Sequence, residues 1–478
     1  MTRLPGRGWL LAAVAGLSVL VHLYGLKAPL LDYHFHRQVN TASIARNYWR
    51  ESRPLHRPRI DWEGPEDRLA ATELPLYMYA YGKLWGVGGL GETWGRVMSL
   101  VASLLTALLL FLLFERELGT EPAFYGALLF SLSPLEVYFG RTVQPEATAL
   151  LGLVSGLYFW ALSLEKPRPL WAWALATAGV TVAVGHKLPY ALVFFPLLGL
   201  TWRRLRAKTW TDGRMWAAGL VSVGLVAAWY LHASRGVYVV PTKGEQFASL
   251  FDYRRTLYFA QFLLASRFLE VVTTYGGMVL FLVGARRVLL DRKDAFWLAW
   301  FFGTLLSIVA LGYYGHSHDY TALPLVPVSA GLMGAGVAAL RASKKAWARG
   351  AALLLVASVP AHAALRIPHW YKQGLEYRAR AAEAAKAVSL ETDLFLTCGS
   401  APSVLLYYLD RRGWWHPLDR GGAEGLAVIE ERRRDGARFV ACEKRGAFAE
   451  DGVLYKALRA KGRPAWDDGA LVVFPLAR

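Results

Sequence analysis

Eleven apolar runs of about bilayer length leave this chain few folds. They fall at about 9–26, 94–114, 122–138, 145–163, 170–185, 187–202, 215–232, 269–285, 296–314, 321–340 and 350–366. A spanning helix needs about 20 mostly apolar residues, because inside a bilayer the backbone must satisfy its own hydrogen bonds. The fifth and sixth runs are short and meet at Gly185-His186-Lys187, so they read as a hairpin of tilted helices. Composition agrees: 55% hydrophobic residues with 19 Trp, 23 Tyr and 22 Phe is too apolar for a soluble chain of this length. The expected fold is an α-helical polytopic membrane protein with about eleven spans.

The formal net charge is +18, yet no nucleic-acid motif accompanies it. Lys and Arg sit instead in short clusters between apolar runs. With the N-terminus inside, the inner loops carry Arg116, then Lys166 and Arg168, then Arg203, Arg204, Arg206, Lys208 and Arg214. Arg286, Arg287, Arg292 and Lys293 follow, and last come Arg341, Lys344, Lys345 and Arg349. Short outer loops hold only Arg141 and Lys187. This positive-inside bias predicts a multi-pass protein of the cell (inner) membrane with a cytoplasmic N-terminus. The first run lacks a small-residue cleavage site and reads as an uncleaved span rather than a signal peptide.

Two longer segments are expected outside. Residues 27–93 form a large loop in which Asn40–Trp49 and Leu74–Leu84 place apolar residues at helical spacing, as interfacial helices do. Residues 233–268 form a second loop carrying Lys243, Arg254, Arg255 and Arg267 among aromatics. From 369 the composition turns charged, dividing a membrane domain, 1–368, from an extracytoplasmic α/β domain, 369–478. Short strands are expected at Asp393–Cys398, Arg438–Cys442 and Ala470–Phe474, in a parallel sheet between helices at 372–388, 401–410, 423–434 and 447–460. Cys398 and Cys442 end two of these strands. A disulfide is open to them outside the cytosol, but the reading favours two free buried thiols.

Acids and bases at the outer ends of spans are the candidates for chemistry, because charge near a bilayer is costly to keep. The densest group is Leu31-Asp32-Tyr33-His34-Phe35-His36-Arg37-Gln38, directly after the first run. A lone Asp32 would read as a solvated interfacial acid; His34, His36 and Arg37 beside it favour function. Glu146, in Gly140-Arg141-Thr142-Val143-Gln144-Pro145-Glu146, reads equally as an acid stabilised at a helix N-terminus or as a site residue. Lys187 reads as a snorkelling lysine or as a phosphate partner. Glu73, Arg96, His186, Arg254, Arg255, Arg267, His316, His318, Asp319 and Tyr320 complete the set. Two His and an Asp at 316–319 could ligate metal, but a hydrogen-bonding cluster suits that spacing better, and no metal is favoured.

Those motifs, in order, resemble the GT-C superfamily of integral membrane glycosyltransferases. The likeness is to family-39-like proteins related to protein O-mannosyltransferases and to the aminoarabinose transferase of lipid A. Leu31-Asp32-Tyr33 follows the first span. Glu73-Leu74-Pro75-Leu76-Tyr77 is similar to that family's Pro-Pro-Leu-Tyr stretch, and Gly95-Arg96-Val97-Met98-Ser99-Leu100 to its Gly-Arg-hydrophobic span opening. Arg141-Thr142-Val143-Gln144-Pro145-Glu146 resembles its Arg-x-x-x-Pro-Asp segment, and His186-Lys187-Leu188-Pro189 its Lys-x-Pro turn. His318-Asp319-Tyr320-Thr321-Ala322-Leu323-Pro324-Leu325 resembles the opening of a late span. Two departures stand out: Asp-Tyr-His-Phe-His replaces the usual Asp-Glu, and the second acid is Glu146 rather than Asp.

The resemblance implies a polyprenyl-phosphate sugar donor, used at the outer face, and a lipid, glycan or protein acceptor bearing a hydroxyl. Asp32 would be the catalytic base with Glu146 as the second catalytic carboxylate. Lys187, Arg254, Arg255, Arg267 and Tyr320 would hold the donor phosphate. His34, His36, Arg37, Glu73, Arg141 and His318 would touch acceptor or sugar. The reaction would invert the anomeric centre without a cofactor; some relatives use a divalent ion, which is not favoured here. Two other functions stay open. A lipid-linked sugar transporter or flippase would require polar residues buried mid-span and related chain halves. A non-catalytic scaffold presenting its outer tail would require no polar cavity.

Overall fold

The computed structural model describes residues 5–62, 64–67, 69–238, 253–310, 318–399, 402–418 and 422–476. Each of the eleven apolar runs contains helix. In order these are α1 (Arg7–His22), then α4 (Glu92–Leu118), α5 (Thr120–Leu132) with α6 (Pro134–Phe139), and α7 (Glu146–Ser163). α8 (Leu170–His186), α9 (Phe194–Leu205) and α10 (Gly213–Ala233) follow, and then helices at Tyr275–Ala285, Ala295–Val309, Leu325–Arg341 and Ala346–Arg366. The expected loop 27–93 supplies α2 (Phe35–Arg50) and α3 (Leu76–Leu84).

The helices differ in how far length and composition alone would carry them across a membrane. Four helices, Glu92–Leu118, Glu146–Ser163, Gly213–Ala233 and Ala346–Arg366, are long and apolar enough to cross a membrane alone. A fifth is added if Leu257–Val272 and Tyr275–Asp291, bent by 101°, count as one span. Arg7–His22, Leu170–His186, Ala295–Val309 and Leu325–Arg341 are shorter apolar helices, and the other two runs are broken by backbone chemistry that hydropathy does not register. Ser133 is extended (ψ 131°) ahead of Pro134 and divides α5 from α6. Pro189 likewise opens a 3₁₀ stretch, Leu188–Val193, ahead of α9. Helix also replaces part of the expected loop 233–268: Tyr253–Phe262 continues into a π-helical stretch, Leu263–Val272. The cations of that segment concealed its apolar face. Lys243 and His316 lie outside the described residues.

The chain divides into two compact units. The first comprises Met1–Leu26, Arg96–Ser234 and Val240–Pro368. Its tightest seam joins α7 to α8. A Cβ built on Gly179 would lie 2.8 Å from the carbonyl oxygen of Gly152, so only glycine permits this approach. Elsewhere in this unit Trp297 and Trp300 are fully buried against Phe114, with ring centroids 5.7 and 6.4 Å away.

The second unit comprises Lys27–Gly95, Arg235–Val239 and His369–Arg478. Residues of the first loop thus share a compact body with the tail. The sheet here has five strands, β3 (Leu394–Thr397), β4 (Gly413–Trp415), β5 (Ala437–Glu443), β6 (Trp466–Asp467) and β7 (Leu471–Pro475), in the order β4-β3-β5-β7-β6. β3 pairs parallel with β4 and β5, whereas β7 is antiparallel to β5 and β6. The sheet is therefore mixed, not parallel. β4 and β6, two or three residues each, were too short to give a sequence signal. A further pair, β1 (Ala70–Ala71) and β2 (Val237–Tyr238), is parallel.

Helix α2 is a core helix of this unit and not the surface helix its pattern suggests. Val39, Ala42, Ala45 and Tyr48 recur at three-residue spacing and are buried, and so are Gln38, Thr41, Ser43, Arg46 and Asn47 on the other faces. Gln38, Thr41, Arg46 and Asn47 each make side-chain hydrogen bonds, which is what permits their burial. Cys398 and Cys442 are bonded to each other, 44 residues apart, which corrects the free-thiol reading. β3 and β5 are adjacent and parallel, so residues at their ends come within bridging range, here with Cα atoms 5.0 Å apart.

Candidate functional site: two groups of buried charge

In the second unit the sequence-picked residues gather at the start of α2. Asp32 is 3% exposed. Gln38, one turn into α2, donates its side-chain N–H to Asp32 Oδ1 and also to the Tyr33 carbonyl (3.2 Å). The helix therefore holds the carboxylate through an uncharged donor. Arg37 turns to Glu73, Nη2 to Oε1 at 2.6 Å, and Thr72 Oγ1 donates to the other oxygen of Glu73 at 2.8 Å. His34 has a left-handed backbone, φ 57°, and its ring packs on Tyr33 (4.2 Å) and edge-on to His36 (6.0 Å). Histidine is among the few side-chain-bearing residues that tolerate this conformation. The histidine thus makes the turn into α2, a role no motif suggested. Tyr33 stacks on Trp370, with centroids 5.3 Å apart and planes at 9°, and its N–H donates to the Trp370 carbonyl.

Deeper in the same unit lies a charge network that the sequence did not indicate. Arg46 pairs with Asp61 and Asp410, both at 2.7 Å, and lies 4.3 Å over the Tyr407 ring. Asn47 donates to Asp61 at 2.9 Å. Arg50 holds both oxygens of Asp410 at 2.7 Å. Burial alone would raise the Asp410 carboxyl, but the hydrogen bond from Arg50 and the charges of Arg46 and Arg50 outweigh it and hold the group below its ordinary value. Burial pushes the Tyr407 hydroxyl up; it donates to Glu92 at 2.9 Å. These partners are 14 to 364 positions apart in sequence, so no local pattern could announce them.

In the first unit a second group collects at helix ends. Glu146 opens α7, is 1% exposed, and faces Lys187 Nζ at 2.7 Å from the residue after α8. The α7–α8 seam places these two ends side by side. Lys187 Nζ also lies 5.2 Å over the Tyr320 ring, an aromatic face suited to a cation. Tyr320 meets Phe139 (5.9 Å) and His318 (5.3 Å) edge-on. Arg267 pairs with Asp319 and stands 4.6 Å over Phe262. Arg141 is fully buried, donates to the Gly25 carbonyl at 3.3 Å and lies 5.3 Å over Tyr138. Arg254 and Arg255 belong to the helix Tyr253–Phe262, and their side chains lie outside the described residues. Among the described residues no three of His, Cys, Asp and Glu gather as a metal site.

Sequence reasoning missed three buried polar groups in this unit. Glu136 and Gln144 are 0% exposed and Tyr190 is 3% exposed. Among the described residues, the side-chain polar atoms of Gln144 and Tyr190 lack a hydrogen-bond partner, and Glu136 is left with Ser103 beside it and no cation. Glu136 falls within the apolar run 122–138, where averaging hides a single acid; Gln144 lies inside a quoted motif but carries no charge to mark it.

Comparison with known proteins fits this geometry into a family of folds. A model of the family "Dolichyl-phosphate-mannose-protein mannosyltransferase" matches residues 75–232. No curated protein matches the sequence. Among solved structures, ArnT from Cupriavidus metallidurans bound to undecaprenyl phosphate superposes with a TM-score of 0.63 over 98% of both chains, at 16% identity. The chain has the GT-C fold. A second GT-C structure, the Archaeoglobus fulgidus oligosaccharyltransferase in complex with Zn and sulfate, matches at TM-score 0.58 and 11% identity, over 96% of this chain and 70% of that one. The archaeal oligosaccharyltransferase AglB, with an inhibitory peptide and a dolichol-phosphate, gives 0.54 and 12% over 91% and 69%. The family-model match takes in Arg141, Glu146 and Lys187 but begins after Asp32. The GT-C likeness runs over nearly the full length, so the second unit belongs to the shared fold as much as the helices do.

Proposed function

We propose that this protein is a membrane glycosyltransferase that moves a sugar from a polyprenyl-phosphate donor to a hydroxyl-bearing lipid, glycan or protein acceptor at the outer face of the membrane. The observation that carries this reading is the full-length likeness to a GT-C structure holding undecaprenyl phosphate. Lys187 supports it from the residue side, as a largely buried ammonium held between a carboxylate and an aromatic face.

The chemistry then assigns roles. The acceptor oxygen attacks the anomeric carbon, and its proton passes to the Asp32 carboxylate. The bond from that carbon to the phosphate oxygen breaks, and its electron pair leaves with the lipid phosphate. One displacement inverts the centre. The leaving group departs as an anion, so it needs fixed positive charge more than a proton donor. Lys187 and Arg267 would supply it, with Arg254, Arg255 and Tyr320 as further phosphate contacts. Glu146 would hold Lys187 in place and orient sugar or acceptor. His34, His36, Arg37, Glu73, Arg141 and His318 would line the acceptor or sugar positions. The Gln38 amide gives Asp32 a fixed rotamer while leaving it a carboxylate able to accept a proton.

The test is transfer of labelled sugar from defined polyprenyl-phosphate donors in proteoliposomes, run with wild type and Asp32→Asn. Donor-dependent transfer that is lost in the folded variant supports the reading. Movement of intact donor across the bilayer, without transfer in any acceptor mixture, would replace it with a flippase.

A further inference from the structure

A cavity of about 220 Å³ lies in the first unit between α8, α9 and α10, walled by Trp160, Thr177, Leu197, Trp210, Trp216 and Gly219 among others. It is separate from the group at Glu146 and Lys187. Trp160 stands 14 residues along α7 from Glu146, or about 21 Å at the helical rise. The polar atoms of the wall are already used. Trp160 Nε1 donates to Thr201, Thr177 Oγ1 to the Trp173 carbonyl, and Trp216 Nε1 to the Trp210 carbonyl. The cavity is smaller than the roughly 300–1,000 Å³ of ordinary small-molecule pockets. It suits hydrocarbon chain and offers nothing to a sugar.

Cations lie beside it. At this end of the helices some cations are paired: Arg203 with Glu117 and Asp294, Arg168 with Asp212, Arg341 with Glu121. Arg204, Arg206 and Lys208 are exposed and have no ion pair among the described residues. Arg204 is seven residues from Leu197 on α9, hence on the same helix face as that part of the cavity wall. Arg206, at φ 53°, turns the chain into the 3₁₀ stretch Arg206–Thr211 that delivers Trp210 to the wall. α10 closes the other side, and only 17% of its apolar stretch is buried.

We infer that this is a binding site for an anionic phospholipid, with one acyl chain in the cavity and its phosphate held by Arg204, Arg206 and Lys208. The two exposed tryptophans at the wall sit where indoles favour the membrane interface. Basic residues at the ends of spans attract anionic lipid, and each contributes to retention. The site faces the opposite end of α7 and α8 from the proposed chemistry and does not depend on it.

The full-length protein is reconstituted with equal phosphatidylglycerol and phosphatidylethanolamine, released gently and examined by native mass spectrometry. Wild type should retain phosphatidylglycerol in preference. The variant Arg204→Gln/Arg206→Gln/Lys208→Gln should lose at least about five-fold of that retention. Gly219→Leu, whose Cβ meets no atom within 4 Å, fills the cavity without a clash and should also lose it, with all three cations present. Equal retention of the two lipids in wild type would overturn the inference, and so would wild-type retention in both variants. Displacement of phosphatidylglycerol by trace polyprenyl phosphate would overturn the choice of occupant.

Discussion

Two groups of candidate residues, one in each unit, hold their central acids in different ways. In the first, Glu146 faces the Lys187 ammonium and Asp319 the Arg267 guanidinium, so each carboxylate serves to fix a cation. In the second, Asp32 takes a neutral amide N–H from Gln38, while Arg37, five residues on, is directed to Glu73. A carboxylate set against a cation holds that cation in place; an amide N–H holds a carboxylate in place without adding a charge. On the proposed roles, the contrast is a division of labour between a carboxylate that positions a cation and one that accepts a proton.

The widest test of that contrast is Asp32→Asn. We expect turnover to fall about 10³-fold with the fold intact, within the range for loss of a positioned base. Glu146→Gln should cost less than Asp32→Asn, because the glutamine carbonyl can still accept a hydrogen bond from Lys187 and the Tyr320 ring still faces that ammonium. If the two acids cost equally, the division of labour fails.

Next in size, Cys398→Ala/Cys442→Ala opens a 44-residue loop and should destabilise the second unit by about 4 kcal/mol. Thermal unfolding with and without reductant measures it. An unchanged midpoint, with both thiols alkylated only after reduction, would mean that the bond forms without stabilising the unit.

Lys187→Met leaves Glu146 buried without its ammonium and should cost about 3 kcal/mol in the first unit. The double variant Lys187→Met/Glu146→Gln should recover most of that loss. Additive losses would show that the pair is not a unit.

The smallest effect is one of pH. The Asp410 carboxyl sits below its ordinary value when folded. Its charge therefore stabilises the fold fully above the unfolded pKa, and that contribution is lost as pH falls through the lower folded value. Wild type should lose stability below about pH 4, and Asp410→Asn should flatten that slope. The group is 39% exposed, so the change should be at most about 1 kcal/mol.

What the sequence could reveal follows from how local each signal is. Apolar runs and charge alternation are local, and helices occupy all eleven runs. α2 and α3 were legible from their spacing, and so were β3, β5 and β7. The breaks at Pro134 and Pro189 were visible residues whose consequence, shorter spans, hydropathy averages away. The mixed sheet was not legible, because strand direction is set by long connections rather than by residue pattern. Of the candidate residues, Asp32, Glu146 and Lys187 stood out as charges at helix ends. Gln38 did not, since a neutral amide one turn into a helix carries no signal until its partner is known. Arg46, Asp61 and Asp410 were beyond reach for the same reason: each is ordinary alone.

The seam at Gly152 and Gly179 bears on how the protein responds to its membrane. With no side chain between them, α7 and α8 cannot slide without a backbone collision, so the separation of Glu146 from Lys187 is fixed by main chain. α10, little buried, meets α8 through side-chain hydrogen bonds, Thr181 to Ser222 and Trp173 to the Arg214 carbonyl, rather than through a glycine seam. When bilayer thickness changes, tilt will therefore be taken up by α10 before it reaches the α7–α8 pair. The pair can keep one geometry through shifts in temperature and lipid composition that would detune a more loosely hinged site.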